Sequence, residues 1–229
     1  MSTTSKHFLT AILQQLGSIE VGQSSHTPST AGHASTLADL KGRAAEQARS
    51  AMLTLHFLFP HELLPALDLV DRKLVNRLRC QHGDGQASSL EVFYVQSASA
   101  VTESVNRRSA SSRFRNAWTA TKIHYEVRLD SWNCTCAAYA QSQLKLLLAD
   151  HGGGAEERVS VGIPEADLIQ SRPLVGGVAT KSNCQIPICK HILAAALANA
   201  APNLFADGLQ SREVSKEETA AWSAGWGET

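Results

Sequence analysis

No stretch of this sequence approaches the ~20 consecutive apolar residues that a membrane-crossing helix requires, so no span is expected. Nor is there an excess of either charge: 21 Lys and Arg face 21 Asp and Glu. An overall electrostatic field therefore does not hold the chain to nucleic acid, and any such contact must come from a local patch or a partner. Cysteine is sparse and odd in number, five residues without the spacing of a disulfide framework, which points to a reducing compartment, cytosol or nucleus. A phosphate loop is also missing: no Lys-Ser or Lys-Thr and no helix start follow Gly152-Gly153-Gly154. Near the N-terminus Lys6 precedes a short apolar stretch, Phe8 to Leu13. Gln14 and Gln15 interrupt it without a small-residue cleavage site, so it is not read as a secretory signal.

What is present is concentrated at two places. Trp132-Asn133-Cys134-Thr135-Cys136 and Ile188-Cys189-Lys190-His191-Ile192-Leu193-Ala194 together give Cys-x-Cys, a 52-residue gap (137–188) and Cys-x-His. Three thiols and one imidazole make a full tetrahedral donor set for zinc and leave no position for water, so the expected site is closed and structural. Lys122 to Leu129 alternates like a strand and leads into Cys134 and Cys136. Pro187 opens a run of Ile, Leu and Ala that reads as helix. Two residues spaced i, i+2 inside a helix point to opposite sides, so Cys189 and His191 share a metal only if the helix begins between them. The spacing predicts a strand, a knuckle, a loop and a helix clasped by one ion. Cys184, five residues before Cys189, leaves open a rival four-thiolate set with Cys134, Cys136 and Cys189.

The pattern Cys-x-Cys…Cys-x-His, with Ala194 three residues past the histidine, resembles the SWIM zinc finger and, more narrowly, the SWIM-domain subunit of the Shu complex. Leu55-His56-Phe57-Leu58-Phe59 and Ala66-Leu67-Asp68-Leu69-Val70-Asp71-Arg72 resemble the second hallmark of that group, and the likeness covers about residues 50–200 minus two insertions. The resemblance prefers His191 over Cys184 and implies Zn2+ on Cys134, Cys136, Cys189 and His191. It also implies a nuclear, non-catalytic adaptor that binds RecA-like recombinase paralogues and helps a recombinase filament assemble on single-stranded DNA during homologous recombination. Ala194 is implied in partner binding. Leu74 to Cys80, ambiguous between helix and strand, is implied to be a strand in a meander with Leu90–Gln96 and 122–129.

The expected fold is α+β: N-terminal helices, a small antiparallel β-meander and the zinc finger. Residues 1–34 read as a short amphipathic helix (Phe8, Leu9, Ile12, Leu13, Leu16) and a flexible linker. Residues 35–206 read as the main domain, with insertions near 97–121 and 141–183. In it Thr36 and Asp39 cap a long helix, and Pro65 opens a shorter one through Asp71. Asp68 and Asp71, beside Arg72 and Lys73, read as salt-bridged structural residues. Cys80 is a spare thiol. Arg107, Arg108, Arg113 and Arg115, interleaved with Phe114 and Trp118, are candidates for a single-strand contact, charges for phosphates and rings for bases. The alanine-rich helix after His191 stops at Pro202. The tail, 207–229, is polar and expected to be mostly disordered. Two other classes stand beside the adaptor. One is a SWIM module binding DNA or protein in a chromatin or transposition-related setting. The other is an enzyme with Cys189 as nucleophile and His191 as base, which lacks a third orienting group.

Overall fold

The computed structural model describes residues 3–19, 40–80, 90–98, 123–151 and 186–225. Its centre is a five-stranded sheet of order β4-β3-β2-β1-β5. Strand β1 (Val75–Cys80) pairs antiparallel with β2 (Leu90–Gln96), with Leu78 opposite Val92. Strand β2 in turn pairs antiparallel with β3 (His124–Arg128), and β3 with the two-residue β4 (Asn133–Cys134). β2 is apolar through Val92, Phe93, Tyr94 and Val95 because both of its faces are covered, which removes the usual alternation. The chain is thus α+β, with the expected meander present.

One face of the sheet carries the main core. Helix α1 (Thr3–Gly17) contributes Leu9, Ile12, Leu13 and Leu16, and α2 (Gly42–Leu58) contributes Ala48, Ala51 and Leu55. Helix α3 (Leu63–Asp71) adds Leu63, Ala66, Leu69 and Val70. α1 therefore belongs to the same core as the rest and is not set apart from it. Gly17 allows its close approach: a Cβ there would collide with the carbonyl oxygen of Ala200. Thr36 and Asp39 lie outside the described residues. Pro65 is the third residue of α3 rather than the first, because the Phe59 carbonyl accepts from Glu62 and Leu63 N–H and starts the turn earlier. A proline is tolerated there, since first-turn N–H groups have no intrahelical partner. Asp68 does pair with Arg72, at 3.4 Å and exposed to solvent, so its contribution is at most ~1 kcal/mol.

α3 ends with Lys73 in the left-handed region (φ 57°), Lys73 N–H donating to Val70 and Leu74 N–H to Leu69. These two bonds satisfy the last carbonyls and turn the chain straight into β1. Helix α4 (Ala137–His151) follows β4, and α5 (Lys190–Ala200) is buried on all sides from His191 to Ala198. Helix α6 (Pro202–Phe205) and a single 3₁₀ turn (Ala206–Gly208) then lead into strand β5 (Leu209–Val214). No helix among the described residues is long and apolar enough to cross a membrane.

Two expectations need correction. The tail is ordered through residue 225: β5 adds parallel to β1, which makes the sheet mixed, and α7 (Lys216–Ser223) folds over the second sheet face. Its Ser215 hydroxyl accepts from Glu218 N–H, and Glu217 and Glu218 occupy the first turn, where the helix dipole favours acids. Trp222 packs at 4.9 Å from Tyr94 and edge-on to His124, in a second core with Leu78, Cys80, Val92 and Val214. Backbone pairing and one large ring order a segment whose polarity argued otherwise. The second correction concerns 141–183, expected as a loop, whose first quarter is the continuation of α4.

Trp222→Ala is expected to cost about 3 kcal/mol, the usual range for a buried aromatic. Amide exchange in residues 209–223 would accelerate while the metal content of the protein stays unchanged. Exchange confined to its wild-type rate there would refute the second core.

Candidate metal centre

The β3–β4 hairpin and the start of α5 build one cluster. In extended chain, residues two apart share a face, so Cys-x-Cys places Cys134 and Cys136 on the same side. The intervening Thr135 ties this knuckle to β3: its N–H donates to the Glu126 carbonyl, and its hydroxyl accepts from Glu126 N–H, both at 3.0 Å. Cys136 stands immediately before α4, its carbonyl accepting from Ala140 N–H and its sulfur from Tyr139 N–H at 3.4 Å. On the other side, Cys189 is the extended residue that caps α5 (φ −141°, ψ 166°), and Lys190 is the first helical one. The helix thus begins between Cys189 and His191, as sharing one ion requires.

All four side chains are buried, and their ligand atoms lie within 4.8 Å of one another. His191 presents Nδ1, 3.9 Å from the Cys134 sulfur, and stacks on Tyr125 at 4.5 Å between ring centroids. Its other nitrogen, Nε2, is buried without a hydrogen-bond partner among the described residues. The three sulfurs titrate as one group. Cys136 is driven far below the ordinary thiol range, first by the thiol of Cys134 and then by that of Cys189 donating to it. Cys134, donating to Cys136 and Cys189 and buried, is held far above it. At Cys189 the contact with Cys134 lowers the value, but Cys136 and burial outweigh it and leave the thiol pushed up to about 12. Buried thiols this close together cannot all ionise without a cation. Two helix N-termini, of α4 and α5, point their positive ends at these sulfurs.

This donor set fits a metal ion. A bound ion with Zn-like bonds near 2.3 Å to sulfur would draw the donors to roughly 3.8 Å from one another, about 1 Å inside the outer limit seen. It would also stabilise three thiolates that an apolar pocket does not tolerate alone.

Trp132 holds the two halves together. It is fully buried in the left-handed region (φ 49°), a conformation that costs a bulky residue about 1–2 kcal/mol. Its indole N–H donates to the Pro187 carbonyl at 2.8 Å, and its own carbonyl accepts from the Tyr139 hydroxyl. Gln143 donates in turn to that hydroxyl at 2.6 Å. Tyr139 and Gln143 follow Cys136 at i+3 and i+7, a helical spacing visible in the sequence but unread without the helix. Tyr125 carried no comparable signal, and Pro187 was read only as the opening of the helical run, which begins at Lys190.

Among the other predicted residues, Cys80 lies on the opposite sheet face, within the Trp222 core. Ala194, implied in partner binding, is fully buried in this chain's own core, on a helix that packs most extensively against α3. Cys184 and Arg107, Arg108, Arg113 and Arg115 lie outside the described residues. Comparison with protein-family models and with curated proteins finds no match for the chain.

Single substitutions Cys136→Ser and His191→Ala are expected to lower bound metal well below one ion per chain, measured by elemental mass spectrometry, and to reduce solubility. Full metal retention in both would overturn the ligand set. Trp132→Phe keeps an aromatic side chain but loses the bond to Pro187; metal affinity should fall about fivefold, the equivalent of one neutral hydrogen bond of ~1 kcal/mol. A competition titration with a chromogenic chelator would read the difference.

Proposed function

We propose that the chain is a zinc-built, non-catalytic adaptor of the SWIM type. Its expected setting is nuclear and Shu-like, supporting recombinase filament assembly in homologous recombination and DNA repair. The observation that carries this reading is the Cys134, Cys136, Cys189 and His191 cluster, closed by burial and straddling the start of α5. Zinc is favoured over other ions because three sulfurs and one imidazole suit a soft-to-borderline cation with no redox role and tetrahedral preference. With four protein donors around it, such an ion keeps no open position for water or substrate, which supports a structural over a hydrolytic role. Cys189 and His191 serve poorly as nucleophile and base for the same reason: both belong to the donor set.

The recombination setting rests on the two separated motifs, residues 55–72 and 132–194, in the order that the Shu-type subunit has. Its partners would be RecA-like recombinase paralogues, with the recombinase and single-stranded DNA reached through the complex. A formal charge of zero agrees with DNA engagement by way of partners rather than by a general field.

The deciding experiment is affinity purification of the tagged full-length chain from its own cells, with mass-spectrometric identification of partners and metal. Small RecA-like ATPases and one zinc per chain are the expected result. Stable recovery of transposition or ubiquitin-conjugation factors instead would replace the recombination role with another SWIM setting, and iron in place of zinc would undo the structural-zinc reading. Ala194 is a poor site for an interface variant here. A carboxylate at 194 would be buried unpaired and would act by unfolding the domain.

A further inference from the structure

Helix α2 turns apolar residues outward as well as inward. Ala48, Ala51 and Leu55 face the core, whereas Leu53 and Phe57, one turn apart, occupy the opposite side. Leu53 is 63% exposed and Phe57 86%, and Leu64, in the first turn of α3, is 62% exposed. Leu58, at the junction, is also exposed. A single exposed leucine needs no explanation, but a leucine and a phenylalanine stacked one turn apart, with two further exposed leucines at and just past the helix end, do. The same outer side continues toward the N-terminus of α2 with Arg43, Glu46 and Arg49, and Lys41 precedes the helix. Among the described residues none of Lys41, Arg43 and Arg49 forms an ion pair, and Glu46 is the one acid between residues 41 and 58. The ridge is therefore apolar at one end and cationic at the other.

We infer that this α2–α3 ridge docks in the groove of a partner protein that is apolar where it receives Leu53, Phe57 and Leu64 and lined with carboxylates where it meets Arg43 and Arg49. The polarity of the ridge fixes the direction in which the helix lies. A second copy of this chain fits poorly. An antiparallel pairing that joined the apolar ends would leave both cationic ends without acids, and a parallel pairing would set the cations against one another. Two central apolar anchors such as Leu53 and Phe57 suffice for such a groove, since a few residues carry most binding energy. This inference takes its partner from the adaptor reading above, but the ridge is tested separately from it.

The test uses the full-length zinc-loaded chain and the RecA-like paralogue recovered with it. Leu53→Glu with Phe57→Glu forms one variant, and Arg43→Glu with Arg49→Glu the other. Both alter exposed residues only, and circular dichroism and zinc content should match wild type. The first variant should weaken the complex by about a hundredfold, as loss of two central anchors does. The second should weaken it less, and the wild-type complex should loosen with added salt while that variant loses the salt dependence. Binding within twofold of wild type by the first variant would overturn the ridge while leaving the adaptor reading intact. If another protein is recovered in place of a paralogue, the adaptor reading fails, and the same variants decide the ridge against that protein. Recovery of no protein partner, a Phe57-dependent dimer by light scattering, or binding to vesicles of anionic phospholipid would each overturn the ridge proposal.

Discussion

Helix α5 constrains everything else in the molecule. It is apolar on every side and buried throughout from His191 to Ala198, so it has to be enclosed by the sheet, α1, α3 and α6 together. Alanine at 194, 195, 196 and 198 lets those elements come close, and each neighbour is fixed by how near it can approach. The residue that caps this helix and the second residue inside it are also the donors Cys189 and His191. The helix thus cannot be correctly placed without bringing its donors to the hairpin, and the donors cannot be gathered without placing the helix. Gathering the four donors and forming the core are a single constraint, which would couple any metal bound there to folding.

On the hairpin side the same economy is paid for locally by strain. Trp132 adopts a backbone conformation that bulky residues avoid, and it does so because the β3–β4 turn must be tight enough to return Cys134 opposite Val127. The indole bond to Pro187, the Tyr139 hydroxyl on the Trp132 carbonyl and the burial of the ring all act on this one residue. Each hydrogen bond contributes about 1 kcal/mol net, so two of them offset the strain and burial of the ring adds the surplus. The turn is therefore stable as built and presents both cysteines on one side.

What could be read in the sequence followed from local patterns. The donor doublets are two-residue features, and the rule that a helix must begin between Cys189 and His191 needs no tertiary information. The strand 124–128 was legible from alternation, whereas 90–96 was expected only as part of the meander that the family resemblance implies. Residues 75–80 were not, since Val-Asn-Arg-Leu-Arg-Cys suits either period, and it is the pairing with β2 and β5 that makes a strand of them. β5 was illegible for a stronger reason: only Val214 of its six residues is buried, so its order comes from backbone bonds to β1, which leave no side-chain pattern. The left-handed end of α3 carries Lys73 where glycine would have announced it. Ala194 shows a different limit. A row of small residues permits close approach from outside and from inside alike, and only burial distinguishes the two.

The segment between the ligand pairs raises the question of what closes it. A covalent cross-link spanning about 50 residues lowers the entropy of the unfolded chain by an amount worth about 4 kcal/mol, and a doubling of that length would change this by only ~0.6 kcal/mol. A long insertion is therefore compatible with the clasp, and its length hardly alters what closure costs. The Trp132–Pro187 hydrogen bond closes nearly the same loop, residue 132 to residue 187, but a single neutral bond supplies ~1 kcal/mol. It sets the geometry of closure and falls short of driving it. The remainder comes from burial of α5, and an ion on the four donors would add to it, so the indole aligns the two ligand segments that a bound metal would fasten.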